Sequence, residues 1–150
     1  MRCKSLRRMS KQEKEDIKMK PRVLIVDDDT AITRQLFWTL CDDYDVTTAN
    51  DMQTAVRRAA VSEPALSILD LHMPPAVDSP EVGLRMLGFI KDRFPLSKVL
   101  IMSSAATAEM QQACLANGAD EFLSKPFELE RLLATVQRHA PACDLLEAMA

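Results

Sequence analysis

Four places in the chain set charged or hydroxyl side chains directly after short apolar runs. Asp27, Asp28 and Asp29 follow VLIV, Asp70 follows LSIL, Ser103 and Ser104 follow VLIM, and Lys125, itself followed by Pro126, closes EFLS. Brought to one point, clustered carboxylates repel each other and rise in pKa unless a cation holds them. Hard oxygen ligands with room for water suit Mg²⁺. A lone carboxylate across from such a metal, with an ammonium and a hydroxyl beside it, can accept a phosphoryl group. Asp70 would attack phosphorus, Lys125 would balance charge on the equatorial oxygens, and Ser103 would hydrogen-bond one of them. Each residue also has an ordinary use. An Asp after a strand is often a turn or cap residue, Asp29 and Thr30 are cap candidates for a helix that follows, and Lys-Pro is a common loop dipeptide. Their joint placement is what points to chemistry.

That placement depends on the elements between. The runs Val23 to Val26, Leu66 to Leu69 and Val99 to Met102 are nearly continuous apolar segments, as in strands buried on both faces of a parallel sheet. DVTTA (Asp45 to Ala49) and EFLS (Glu121 to Ser124) complete a set of five. Between them run stripes of helical period: Ile32, Leu36 and Leu40; Met52, Ala55, Val56 and Ala59 after the cap candidate Asn50; Leu84, Leu87 and Phe94; Met110 and Cys114 before the stop Asn117-Gly118; and Leu129, Leu132, Leu133 and Val136. The pattern is (βα)₅, an α/β class with right-handed crossovers, a parallel sheet and helices on both faces. In such sheets ligands bind at the carboxyl ends of the strands, where all four groups fall.

Composition narrows the classes further. With 150 residues, 47% of them hydrophobic, the chain can build one ordinary core. Its longest apolar runs are too short to span a bilayer and its start is charged, which predicts a cytoplasmic protein. Cys3, Cys41, Cys114 and Cys143 form no C-x-x-C pair, so zinc and disulfide frameworks are not indicated and the thiols read as reduced. Met1 to Lys20 holds eight Lys or Arg against three acids, net +5; with −3 overall, the remaining 130 residues carry −8. Residues 1–20 read as a basic tail, disordered or a short helix opened by Ser10 and Glu13. Solvated tail is preferred over nucleic-acid arm for it. Residues 21–140 form the domain and 141–150 a second tail, PACDLLEAMA, too short for an output domain.

From Pro21 to about Ala140 the sequence resembles the receiver domains of two-component response regulators, through VLIVDDD, LDLHMP, VLIMSS and NGADEFLSKPF. The resemblance implies the flavodoxin-like doubly wound sheet, strand order 2-1-3-4-5. It implies an acidic pair, with Asp28 a direct Mg²⁺ ligand and Asp27 acting largely through water. Asp70 becomes phosphoacceptor and second ligand, and the main-chain carbonyl of His72 a third. Ser103 takes the switch hydroxyl position, Lys125 that of the invariant lysine and Phe122 that of the rotating aromatic. The phosphoryl donor is then a histidine kinase or histidine phosphotransfer protein. The chain acts as a signalling switch that catalyses only its own phosphotransfer and dephosphorylation, and signals through the face of the fourth helix, fifth strand and fifth helix. A homodimer on phosphorylation, and a downstream protein or an output domain outside this chain, are the expected partners.

Two stretches depart from the family pattern. HMPPAVDSPEVGL makes a longer loop before Gly83, and Ser104 stands where Ala or Gly is usual. His72 and Ala105 occupy positions that modulate dephosphorylation in that family, and the His72 side chain is expected to face solvent. His139 sits at a helix end where the dipole favours it. Three rival readings fit the residues less well. In a haloacid-dehalogenase-like phosphatase, Asp27 would be nucleophile and Asp29 acid/base, but Asp70 has no role there and the acids after Lys125, Glu128 and Glu130, fall in a helix. A degenerate receiver used only for binding has no need of the intact set Asp27, Asp28, Asp70, Ser103 and Lys125. A dinucleotide fold lacks its G-x-G-x-x-G turn.

Overall fold

The computed structural model describes Ser10 and residues 20–141. The remaining parts of the two end segments read as tails, with Cys3 and Cys143, lie outside the described residues. Strands β1 (Arg22–Val26), β2 (Asp45–Ala49), β3 (Leu66–Asp70), β4 (Lys98–Ser103) and β5 (Glu121–Ser124) alternate with helices α1 (Thr30–Leu40), α2 (Met52–Ser62), α3 (Glu81–Arg93), α4 (Ala108–Ala116) and α5 (Leu129–His139). All pairings are parallel and the order is β2-β1-β3-β4-β5.

The continuous apolar runs are explained by the two faces they serve. Leu24, Val26, Leu69, Val99 and Ile101 pack against α2, α3 and α4 through Ala55, Ala59, Met86, Leu87, Ile90 and Cys114. Their neighbours Val23, Ile25, Ile68, Leu100 and Met102 pack against α1 and α5 through Leu36, Leu40, Leu132 and Val136. A strand between two helical layers calls for an apolar residue at nearly every position, since successive side chains alternate faces, although β3 also buries Ser67. β2 lies at an edge and is only partly covered, so its sequence is Asp, Val, Thr, Thr, Ala.

Helix starts follow local hydrogen bonding. Asp29, Asp51 and Thr107 accept N–H bonds from Ala31, Thr54 and Met110 at 2.9, 2.7 and 3.1 Å. The cap of α2 is thus Asp51, not the cap candidate Asn50; Asp51 directly precedes the helix and reaches its orphan N–H groups, while the Asn50 amide is turned to the Asp27 carbonyl. The expected stop after α4 is present, with Gly118 at φ +104° and the Ala119 N–H donating back to the Cys114 carbonyl at 3.0 Å. α4 is lightly held: among its residues only Cys114 is buried. Cys41 and Cys114 are free thiols, the latter pushed up in pKa by burial. Among the described residues no helix is long and apolar enough to cross a membrane.

At the amino end of the sheet, Asp120 joins three elements. Its carboxylate accepts from Lys91 Nζ of α3 at 2.7 Å and from the Val99 N–H of β4 at 2.9 Å, just ahead of β5. Burial alone raises this carboxyl, but the bonds from Lys91 and Val99 and the charges of Lys91 and Lys98 outweigh it and hold the group below its ordinary pKa. A depressed carboxylate contributes stability above its unfolded pKa and loses it as pH falls through the folded value. Asp120→Asn is expected to cost about 1–3 kcal/mol at pH 7. In urea titrations that difference should shrink below pH ~4, where the wild-type carboxyl protonates as well.

Candidate functional site

The register brings the strand ends level. Val26 pairs with Leu69, Asp70 with Met102, and Ser103 with Ser124, so Asp27, Asp70, Ser103 and Lys125 meet at the carboxyl edge of the sheet. The Asp27 N–H extends the ladder to the Ala49 carbonyl at 3.1 Å. Its side chain is completely buried, which requires a partner for its charge. Lys125 Nζ supplies it at 2.8 Å from Oδ2, while Oδ1 accepts the Asp29 N–H at 2.9 Å.

Asp70 lies beside this pair, 6% exposed, with Oδ1 3.6 Å from Lys125 Nζ and accepting the His72 N–H at 3.3 Å. Asp28 is exposed at the rim. One oxygen from each of Asp27, Asp28 and Asp70 lies within 4.8 Å of the others. Burial first, then the charge of Asp27 and to a lesser degree that of Asp28, push the Asp70 carboxyl up to about 7 against the opposing pull of Lys125 and the His72 N–H. One ammonium is therefore too little charge for three carboxylates. This all-oxygen cluster, wet on the Asp28 side, fits a hard divalent cation such as Mg²⁺.

Ser103 is fully buried. Its carbonyl accepts the Lys125 N–H at 2.8 Å, tying the ends of β4 and β5 together, and its Oγ accepts the Ala105 N–H at 3.0 Å. Phe122, half-buried, packs on the α2/α3/α4 side of the sheet. The His72 side chain departs from expectation. It does not face solvent but is half-buried, with Nδ1 3.4 Å from Ser103 Oγ. Leu71 and Met73 are both anchored in the core, and the residue between them turns back over the ends of β3 and β4.

Asn50 serves the site instead of capping α2. Its amide donates to the Asp27 carbonyl at 2.8 Å and lies 3.3 Å from Thr33 Oγ1, bracing the turn that carries the acidic pair. The only sequence signal for that role was a polar residue at the end of β2. Asp29 is engaged as the α1 cap. A capping carboxylate is poorly suited to the acid/base role that a phosphatase of the haloacid-dehalogenase type would assign it, and Asp70 occupies the site with Asp27. Neither the phosphatase nor the degenerate-receiver alternative is favoured.

Comparison with known proteins agrees with this geometry. The family model described as response regulator receiver domain matches residues 23–137. The chain is 37% identical over 117 residues to the response regulator MprA of Mycobacterium leprae, covering 77% of this chain and 49% of that protein. It spans about half the length of the curated relatives it matches. Among solved structures, a chemotaxis protein CheY4 of Vibrio cholerae superimposes with a TM-score of 0.72 at 30% identity, over 80% of this chain and 98% of that one. The beryllofluoride-activated NtrC4 receiver domain dimer gives a TM-score of 0.70 at 32% identity, over 79% and 95%. The five-stranded order, the shared edge of Asp27, Asp70 and Lys125, and these matches agree: the chain belongs to the family of response regulator receiver domains.

Proposed function

We propose that Asp70 is the phosphoacceptor of this receiver and that Asp28, Asp70 and the main-chain carbonyl of His72 hold Mg²⁺, with Asp27 acting through water. The observation that carries the proposal is the seating of Asp70 between Asp27 and Lys125 at the carboxyl edge of the sheet. An oxygen of the Asp70 carboxylate attacks phosphorus of a phosphohistidine on a histidine kinase or phosphotransfer protein. The P–O bond forms as the P–N bond breaks, and the electron pair leaves with the imidazole, which takes a proton from solvent. When bound, the metal neutralises charge on the phosphoryl oxygens. Lys125, already between Asp27 and Asp70, is within reach of the same oxygens, and Ser103 supplies a hydroxyl to one of them.

The new group adds roughly −1.5 to −2 charges at neutral pH. Drawing Ser103 toward it leaves room for Phe122 to rotate, which would remodel the face formed by α4, β5 and α5, where a partner protein or a second copy binds. The same chemistry carries dephosphorylation, so the chain is a switch that acts only on its own phosphoryl group. We take the cytoplasm as its compartment, in keeping with the free thiols of Cys41 and Cys114.

The test is intact mass after incubation with Mg²⁺ and acetyl phosphate. Wild type is expected to gain one phosphoryl group and Asp70→Asn none. Labelling that survives Asp70→Asn but is lost in Asp27→Asn would support the phosphatase chemistry instead. No labelling of wild type would leave a binding module.

A further inference from the structure

We infer that His72 is a positioning residue that holds the Ser103 hydroxyl in its resting orientation, so that phosphorylation must take that hydroxyl away from the imidazole. This rests on Asp70 being the phosphoacceptor. A serine hydroxyl has one proton to donate and two lone pairs to accept with. In the structure Ser103 Oγ already accepts the Ala105 N–H at 3.0 Å, and the side chain is sealed from solvent. His72 Nδ1 lies 3.4 Å from it, and we assign the imidazole the tautomer with its proton on Nε2, so that Nδ1 accepts the hydroxyl proton.

A phosphoryl oxygen on Asp70 needs that same proton. The single donor of Ser103 thus has two mutually exclusive acceptors, His72 at rest and the phosphoryl group in the activated form. Every restraint on the resting form subtracts from the apparent affinity for whatever stabilises the active one. The placement of His72 is itself enforced: Leu71 and Met73, 0% and 1% exposed, fix the backbone on either side, and the Gly83 N–H holds the Leu71 carbonyl at 3.2 Å. The imidazole is therefore set over Ser103 by the core beneath it.

Beryllofluoride, a phosphoryl mimic that does not undergo the hydrolysis of an acyl phosphate, separates this role from any effect on attacking water. Its dissociation constant at saturating Mg²⁺ is to be measured by calorimetry for wild type, His72→Ala, His72→Asn, Ser103→Ala and the double variant His72→Ala/Ser103→Ala. Loss of the imidazole acceptor is expected to tighten binding about 3- to 10-fold. His72→Asn, which can place an oxygen where Nδ1 stood, should stay near wild type. In the Ser103→Ala background His72→Ala should have no effect, which a merely structural role for His72 does not predict.

Unchanged or weaker binding by His72→Ala, or an equal effect with and without Ser103, overturns the inference. Asp70→Asn separates it from the assignment of the phosphoacceptor. If wild type binds the mimic and Asp70→Asn does not, while His72→Ala changes nothing, only the inference fails. If wild type does not bind, or binds no better than Asp70→Asn, the phosphoacceptor assignment fails and takes the inference with it.

Discussion

Replacing Lys125 by methionine is expected to destabilise the metal-free protein by about 3 kcal/mol at neutral pH, and added Mg²⁺ should restore much of the loss. The ammonium lies 2.8 Å from a fully buried Asp27 carboxylate and 3.6 Å from Asp70. Methionine keeps most of the stem's packing but leaves both carboxylates without their counter-charge. The pH dependence has a definite sign. Asp70 is already raised to about 7, so between its ordinary value near 3.8 and that point the folded state binds more protons than the unfolded one. Metal-free wild type should therefore lose stability as pH rises through this window. Lys125→Met should lose it more steeply, because the opposing charge is gone. Mg²⁺ should flatten both profiles by favouring ionised carboxylates and by mass action on the folded state. Urea titrations at pH 5 and pH 8, with and without Mg²⁺, read all of this. A variant as stable as wild type at pH 8 without metal would show that Lys125 does not neutralise the cluster.

The second large effect lies outside the charged cluster. Gly83→Ala is expected to cost about 3 kcal/mol, against a helix propensity that favours alanine by about 1 kcal/mol. A β-carbon there would meet the Leu71 carbonyl oxygen at 2.4 Å and Leu71 Cα at 2.5 Å, both backbone atoms unable to step aside cheaply. α3 docks so closely on the loop after β3 that only a hydrogen fits. Gly88, in the same helix, has nothing within 4 Å of the equivalent position and is exposed, so Gly88→Ala should be neutral or stabilising. Leu71 adjoins Asp70 and donates its N–H to the Met102 carbonyl at 3.0 Å, so a displaced Leu71 also disturbs Asp70. Thermal melts and acetyl phosphate labelling of the two variants should separate sharply. Equal melting temperatures would refute the close-contact explanation.

What the sequence disclosed follows from how far each inference had to reach. Asp27 and Lys125 stand 98 residues apart, yet their meeting was legible, because each follows a strand and a parallel sheet carries all such ends to one edge. The core was legible for a related reason: an uninterrupted apolar run admits few placements other than a strand between two layers. Contacts set by crossovers and loops were not. Asn50 looks like a cap because caps are local, and nothing in its neighbours says that the Asp27 carbonyl waits 23 residues away. His72 looks solvent-facing until Met73 is seen to be buried. Asp120 lies in the family-like stretch NGADEF, but its value as a junction depends on Lys91, which only the packing of α3 brings near.

The light anchoring of α4 has a mechanical meaning. Its last turn is clamped: Cys114 is buried, the chain turns at Gly118, and Asp120 is tied to α3 and β4. Its first turn hangs from Ser104 to Thr107, immediately beyond Ser103, and only Met110 there rests partly on the core. Such a helix is a cantilever, fixed at one end and loaded at the other. Under the proposed switch, a pull at Ser103 would enter at the more loosely held end and tilt the helix about Cys114, changing the exposed flank offered to a partner.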